Sequence, residues 1–219
     1  MIQMFNVHKV YPGNRKALSD INLHIKKGEF TFITGPSGAG KTTLIKLIFC
    51  AEHATAGQII VNGVNFAKLR TSGIPALRRS IGVVFQDFKL LVSRTAYENV
   101  VFALEVTGTR PREIKRKAWQ VLKLVGLQNR LDSRPLELSG GEQQRIAIAR
   151  AIVNDPIILL ADEPTGNLDA QITQDIMELL KAINQRGTTI VIASHNMVLA
   201  RQYATRHIII EQGCITGQN

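Results

Sequence analysis

No stretch of this 219-residue chain approaches the roughly 18 consecutive apolar residues that a membrane-crossing helix needs. The most apolar run, Ile157 to Ala161, is closed at once by Asp162 and Glu163. The opening Met1-Ile2-Gln3-Met4-Phe5-Asn6 lacks the basic, apolar, small-residue order of a secretory leader. Cysteine is scarce: Cys50 and Cys214 stand far apart, without metal-like spacing. Both have apolar neighbours, so both are expected to be buried free thiols. Internal repeats and low-complexity tracts are missing too. These absences argue against a spanning helix, a cysteine–metal cluster and a repeat array, and the chain is expected to stay in the cytoplasm.

Acidic residues are also few, 17 against 27 Lys and Arg, for a net charge of +10. Residues 88–150 hold twelve of the basic residues and only six of the acidic ones. A nucleic-acid surface, an anionic membrane face, or simply the solvated face of a helix over Arg110 to Lys117 would each account for this. What remains is ordinary: 45% hydrophobic and 20% charged residues, in a length that suits one α/β domain with a small inserted subdomain.

Periodicity gives the coarse order. Asn22 to Lys26 alternates at period two, Lys27-Gly28 turns, and Phe30 to Thr34 reads as a buried strand. Helical spacing follows from Lys41 to Phe49, then short strands at Gln58 to Asn62 and Ile81 to Phe85. From Tyr97 to Ala151 the pattern is helical, broken at Gly126 and Pro135. Strand patterns return at Ile157 to Ala161, Thr188 to Ala193 and Ile208 to Ile210, with a helix over Gln171 to Gln185. Strands alternating with helices predict a mostly parallel sheet, interrupted by a helical block.

Three segments carry chemistry. Gly35-Pro36-Ser37-Gly38-Ala39-Gly40-Lys41-Thr42 fits G-x-x-x-x-G-K-[ST], after a strand and opening a helix. Its glycines let backbone N–H groups converge on phosphate oxygens, and the helix adds its positive end. Lys41 then reaches the outer phosphates, and the Thr42 hydroxyl is suited to Mg²⁺. The Ile157-to-Ala161 strand ends in Asp162, a natural holder of Mg²⁺ and its waters, and in Glu163, a candidate general base. Third, Leu138-Ser139-Gly140-Gly141-Glu142 precedes another helix. Ser-x-x-Glu is a capping box, yet a capped start with two glycines is also an anion site. One nucleotide needs only one phosphate loop, so a second phosphate-directed terminus makes sense if it serves a neighbour's nucleotide.

These segments, in this order, resemble the nucleotide-binding subunits of ABC proteins over essentially the whole chain. The resemblance implies a P-loop (RecA-like) ABC ATPase core with an antiparallel β subdomain and an inserted α-helical subdomain. Residues 1–87 and 151–219 would form the core with its β subdomain, and 88–150 the helical part. It further implies ATP and Mg²⁺ as ligands. Tyr11 would stack on adenine; Gly35 to Thr42 with Thr43 would hold the phosphates; Thr42, Gln86 and Asp162 would serve the metal. Glu163 and His195 would be catalytic. Ser139, Gly140, Gly141 and Glu142 would bind ATP in trans, and Asp169 would touch the partner protomer of an ATP-driven homodimer. Phe88, Leu90 and Leu91, beside Gln86, would contact an integral membrane protein.

Within the family, Phe5-Asn6-Val7, Tyr11-Pro12-Gly13, Phe85-Gln86-Asp87 and Glu98-Asn99-Val100 resemble the cell-division branch. That branch implies regulation of peptidoglycan hydrolases from the cytoplasmic face of a bacterial inner membrane. An ABC transporter ATPase for lipoproteins, drugs or amino acids is the first alternative. A soluble ABC ATPase acting on nucleic acid would ordinarily carry a long coiled coil or a second ATPase domain, so specific nucleic-acid binding is not expected. A P-loop kinase or GTPase would leave Leu138 to Gln144 and His195 without a purpose.

Overall fold

The structure, a computed structural model, describes residues 1–218. Two sheets organise it. β1 (Ile2–Tyr11), β2 (Arg15–Ile25), β4 (Ala56–Val61) and β5 (Val64–Asn65) form an antiparallel sheet in the order β2-β1-β4-β5. A six-stranded sheet runs β10-β9-β3-β8-β7-β6, from β3 (Phe30–Thr34), β6 (Ile81–Val84), β7 (Ile158–Asp162), β8 (Thr189–Ser194), β9 (Arg206–Glu211) and β10 (Cys214–Gln218). Its strands are parallel except for the β9–β10 hairpin at one edge.

The period of two in the central strands decides what packs on each face. Phe30 and Phe32, Leu159 and Ala161, Ile190 and Ile192 join a core shared with the helices α3 (Ala96–Val106), α4 (Pro111–Leu124), α5 (Gly140–Ile152) and α6 (Ala170–Gln185). Their alternates Ile33, Ile158, Leu160, Val191 and Ala193 join a second core with α1 (Lys41–Ile48) and the antiparallel sheet. Both faces of the parallel sheet are thus covered, which is why its strands read as unbroken apolar runs. The helical pattern from Tyr97 to Ala151 resolves into α3, α4 and α5, broken by the turns after Val106 and Leu124.

Several elements lay outside the periodicity reading. Short α2 (Ile74–Arg79) and α7 (Met197–Tyr203) complete the helices among the described residues; β1 had no periodicity signal, and β2 extends well before the alternation that begins at Asn22. β1 contains shifts of register at Met4/Val7, Val7/Lys9 and Lys9/Val10, which break a strict period of two. One expectation needs correction. Cys50 is buried, but Cys214 is exposed, because β10 alternates outward and inward and Cys214 takes an outward position.

Candidate active site

The site forms where β3, β7 and β8 end. After β3 the chain curls through Gly35 to Gly40 and enters α1. Two glycines there are required by space. A Cβ on Gly35 would sit 1.9 Å from the Ile210 carbonyl oxygen, and one on Gly40 would meet Ala17 O and Leu18 Cδ2 at 2.7 Å. Gly40 caps α1 at φ 110, a left-handed conformation open to glycine. No side chain caps α1 and no acidic residue occupies its first turn. Its orphan amides and positive end are therefore free of internal competition.

Lys41, 7% exposed, donates from Nζ to Gly35 O at 2.8 Å and Pro36 O at 3.0 Å. Among the described residues no carboxylate ion-pairs with it. A buried ammonium met only by carbonyls is electrostatically suited to an incoming anion. From the first turn of α1, Thr42 Oγ1 donates to Asp162 Oδ1 at 3.1 Å. Burial raises the Asp162 pKa, against the pull of the Thr42 hydrogen bond. That hydroxyl–carboxylate pair is a hard-oxygen donor set, the kind that suits Mg²⁺.

Glu163 follows Asp162 with φ 47, outside β7 geometry. A non-glycine residue there costs roughly 1–3 kcal/mol and persists only where its surroundings hold it. They do: Glu163 N donates to Ala193 O at 2.8 Å, and Ser194 Oγ donates to Glu163 Oε2 at 3.2 Å. His195 Nδ1 lies 3.0 Å from Glu163 Oε1. The carboxylate is mostly shielded, whereas the imidazole is 67% exposed. Glu163 is thus aimed and bonded, with one face left toward the cavity.

A cavity of about 810 Å³ joins these groups. Tyr11, Ser37, Lys41, Thr42, Gln86, Asp162, Glu163 and His195 all line it, as do Gly38, Gly40 and Thr43. Gly35, Pro36 and Ala39, expected among the phosphate-binding residues, are not part of its lining; the Gly35 and Pro36 carbonyls instead hold Lys41. Arg15 and Lys16, absent from the expected site residues, also line the cavity. The β1–β2 hairpin carries them there: Arg15 pairs with Tyr11 across the turn, its guanidinium 5.2 Å from the ring centroid, with Lys9 Nζ at 4.8 Å. The Pro12-Gly13-Asn14 turn was the available signal.

The remaining candidates lie outside this cavity. Ser139 caps α5, accepting from Glu142 N at 3.3 Å, while Glu142 Oε2 accepts from Ser139 N at 2.9 Å. Glu142 also ion-pairs with Arg130, and donation from the Ser139 backbone holds its carboxyl below the usual range. Asp169 caps α6 by accepting from Ile172 N at 2.9 Å. A separate, largely apolar groove of about 660 Å³ opens between α3, β6 and the end of α1, lined by Phe49, Phe85, Leu91, Phe102 and Val106. Leu91 belongs to this groove; Phe88 and Leu90 pack half-buried against the helical core and are not part of its lining.

Arg150 of α5 holds the segment just after Gln86. It donates to Phe88 O at 2.8 Å and to Lys89 O at 2.6 Å, two consecutive residues with positive φ.

A glycine-rich anion loop at the end of a parallel strand, with a metal-competent carboxylate and an aimed glutamate, defines a P-loop nucleotide-binding protein. The particular family follows from the comparisons: residues 18–166 match the ABC transporter family, and this chain belongs to it. It is 51% identical to the cell division ATP-binding protein FtsE of Bacillus subtilis, over 98% of this chain and 94% of that one. It is 43% identical to the FtsE of Escherichia coli strain K12, over 99% and 98%. Among solved structures it resembles the ATP-binding cassette MJ0796, dimeric in a post-hydrolysis state bound to ADP and Pi. That match has a TM-score of 0.91 at 37% identity and covers 100% of this chain and 98% of that one.

Proposed function

We propose that this chain is the ATP-binding and ATP-hydrolysing subunit of an ABC-type complex in cell division, acting with an integral membrane protein of the FtsX kind. The observation that carries the reading is the single cavity uniting Lys41, Thr42, Asp162, Glu163 and His195. Full-length similarity to FtsE proteins supports the cell-division role. In this reading Tyr11 stacks on adenine, with Lys9 and Arg15 fixing its ring. The Gly35–Gly40 amides, Lys41 and Thr43 take the phosphates. Thr42, Asp162 and Gln86 would hold Mg²⁺, which would supply charge neutralisation at the phosphates. Glu163 accepts a proton from the attacking water as the Pγ–O bond to ADP breaks, and His195 orients Glu163 and the γ-phosphate.

Ser139 to Glu142 lie outside their own chain's cavity, which supports a role in trans. Two chains would sandwich two Mg·ATP head to tail, with Asp169 at the contact. Residues 1–87 and 151–219 would act as one unit and 88–150 as the lever, with closure and opening passed to the membrane protein. The apolar groove at Leu91 supports docking of that protein's helix there, while Phe88 and Leu90 pack against the helical core beside it. Its output would regulate peptidoglycan hydrolases across the inner membrane, from a peripheral position on the cytoplasmic face.

The test measures ATPase rate and mass by light scattering on the same sample. Hydrolysis with an ATP-dependent doubling of mass is expected. Turnover by a species that stays monomeric at all ATP concentrations would overturn the shared-site reading. Co-purification from detergent-solubilised membranes then identifies the membrane protein held.

A further inference from the structure

A second cavity, of about 750 Å³, opens at the opposite end of the parallel sheet. Pro156 and Ile157 bring the chain into β7, Thr188 into β8, and Lys27 stands just before β3; all four line it. The nucleotide groups follow the far ends of these same strands, roughly 15 Å away at about 3.3 Å per residue. α4 and the ends of α5 and α6 complete the walls.

The exposed part of the lining, its rim, is charged, and the buried part, its floor, is aliphatic. Lys27, Arg116, Lys117 and Arg186 are its cations, and Asp155 is its one carboxylate. Val121, Leu124 and Ile183 contribute an apolar surface between them. Among the described residues no carboxylate ion-pairs with Lys27, Arg116 or Arg186. Lys117 alone is met, by Asp155 at 3.3 Å, a turn residue whose side chain is 85% exposed. The rim therefore already receives one carboxylate from its own chain and keeps three cations uncompensated.

We propose that this cleft binds an acidic peptide segment of a second protein, its carboxylates on the rim and one or two aliphatic or aromatic side chains on the floor. Charge complementarity selects the sign of the ligand. The volume and the apolar floor select a peptide over a free phosphate, which would leave most of the space unfilled. A single nucleic-acid strand would call for aromatic stacking platforms, and among the described residues no aromatic lines this cleft; a duplex would lay its phosphates on the rim and leave the floor unfilled. A flat anionic bilayer would reach the rim without filling the floor. The site is independent of ATP chemistry, so it stands or falls apart from the catalytic reading.

A phage-displayed library of random 12-residue peptides, selected on the full-length protein, supplies the probe. Selected peptides should be rich in Asp and Glu interleaved with Leu, Ile or Phe, and are then measured singly by fluorescence anisotropy. Arg116→Glu with Arg186→Glu should weaken them about tenfold or more, as loss and reversal of charge-assisted contacts demand. ATP hydrolysis and melting temperature should stay near wild type. Asp155→Asn, which removes the competing internal carboxylate, should tighten binding by about two- to fivefold. Failure to select acidic peptides, or affinities unchanged in both variants, overturns the proposal. So does a double variant that loses a 30-base-pair duplex or phosphatidylglycerol vesicles while keeping the peptides.

Discussion

Two helix N-termini in this molecule carry the same backbone donors and treat them in opposite ways. α1 begins at a left-handed glycine with no side-chain cap and no acidic residue, beside a buried lysine that meets only carbonyls. α5 begins with a complete capping box, its first turn closed by Glu142 and that carboxylate pinned by Arg130. An uncapped, positive terminus waits for an anion from solution. A terminus satisfied by its own side chains is stable as it stands, and an anion must arrive from outside to displace or share those contacts. The contrast suits a loop that binds nucleotide in its own chain and a segment that meets nucleotide only when another chain brings it.

The largest expected effect tests whether both termini are engaged at once. Glu163→Gln keeps the shape and removes the carboxylate proposed as general base, so turnover should fall at least about 10²-fold, within the usual range for general-base loss. ATP affinity should hold, and an ATP-bound dimer should accumulate, visible by light scattering. Near wild-type turnover would remove Glu163 from the chemistry.

Next comes a direct comparison of the two termini. Lys41→Ala should weaken ATP binding to the isolated chain by about 10- to 100-fold, the worth of a charge-assisted hydrogen bond. Ser139→Arg should leave that binding unchanged while abolishing the ATP-dependent dimer and hydrolysis. Mixed together, the two variants should recover part of the activity, since both lesions can fall in one composite site. Loss of monomer binding in Ser139→Arg, by calorimetry, would erase the distinction.

The phosphate loop, Asp162 and Glu163 were legible in the sequence because each position is set by local chain order: strand, glycine turn, helix, or strand end. All reach one cavity, as does His195 after β8. Arg15 and Lys16 were legible only as far as the Pro12-Gly13-Asn14 turn, because cross-strand pairing sets Arg15 opposite Tyr11 and Lys16 opposite Val10, and nothing in their spacing announces a ligand. Among the three apolar residues after Gln86, sequence could not say which way each would point. Two left-handed residues, Phe88 and Lys89, turn the chain there, so Leu91 faces the groove while Phe88 and Leu90 turn toward the core. Positive φ at non-glycine residues leaves no clear mark in composition.

The two termini also differ in their carboxylates, and acid should separate them. Burial raises Asp162, so without Mg²⁺ its ionised form opposes folding. As pH falls through that raised folded value the folded state takes up the proton first, and this opposition fades. Asp162→Asn should therefore abolish a small gain in metal-free stability on mild acidification. Protons should likewise compete with Mg²⁺ at higher pH than for an ordinary aspartate, which Mg²⁺ titrations of the ATPase at successively lower pH, compared with Asp162→Asn, would detect.

Glu142 should behave with the opposite sign and the smallest magnitude. Its carboxyl is held low, chiefly by the Ser139 backbone N–H, so its contribution is present above the unfolded value of 4.5 and is lost as pH falls through the lower folded value. Glu142→Ala opens the box and should cost about 1 kcal/mol, as loss of a helix cap does. Glu142→Gln is the finer instrument, because glutamine can still complete a Ser-x-x-Gln box. It removes only the charge and the Arg130 ion pair, so stability at pH 7 should shift by about 0.5 kcal/mol or less. What it should change is the meeting with a partner's phosphate. Removing a negative charge from the first turn of α5 should tighten the ATP-dependent dimer by about two- to fivefold, the size of a terminal helix-dipole interaction. Sedimentation of the Glu163→Gln protein, with and without Glu142→Gln, isolates that step from hydrolysis. A dimer weakened by the second substitution would mean that the Glu142 charge helps assembly, and that α5 is not closed against anions in the way its capping box suggests.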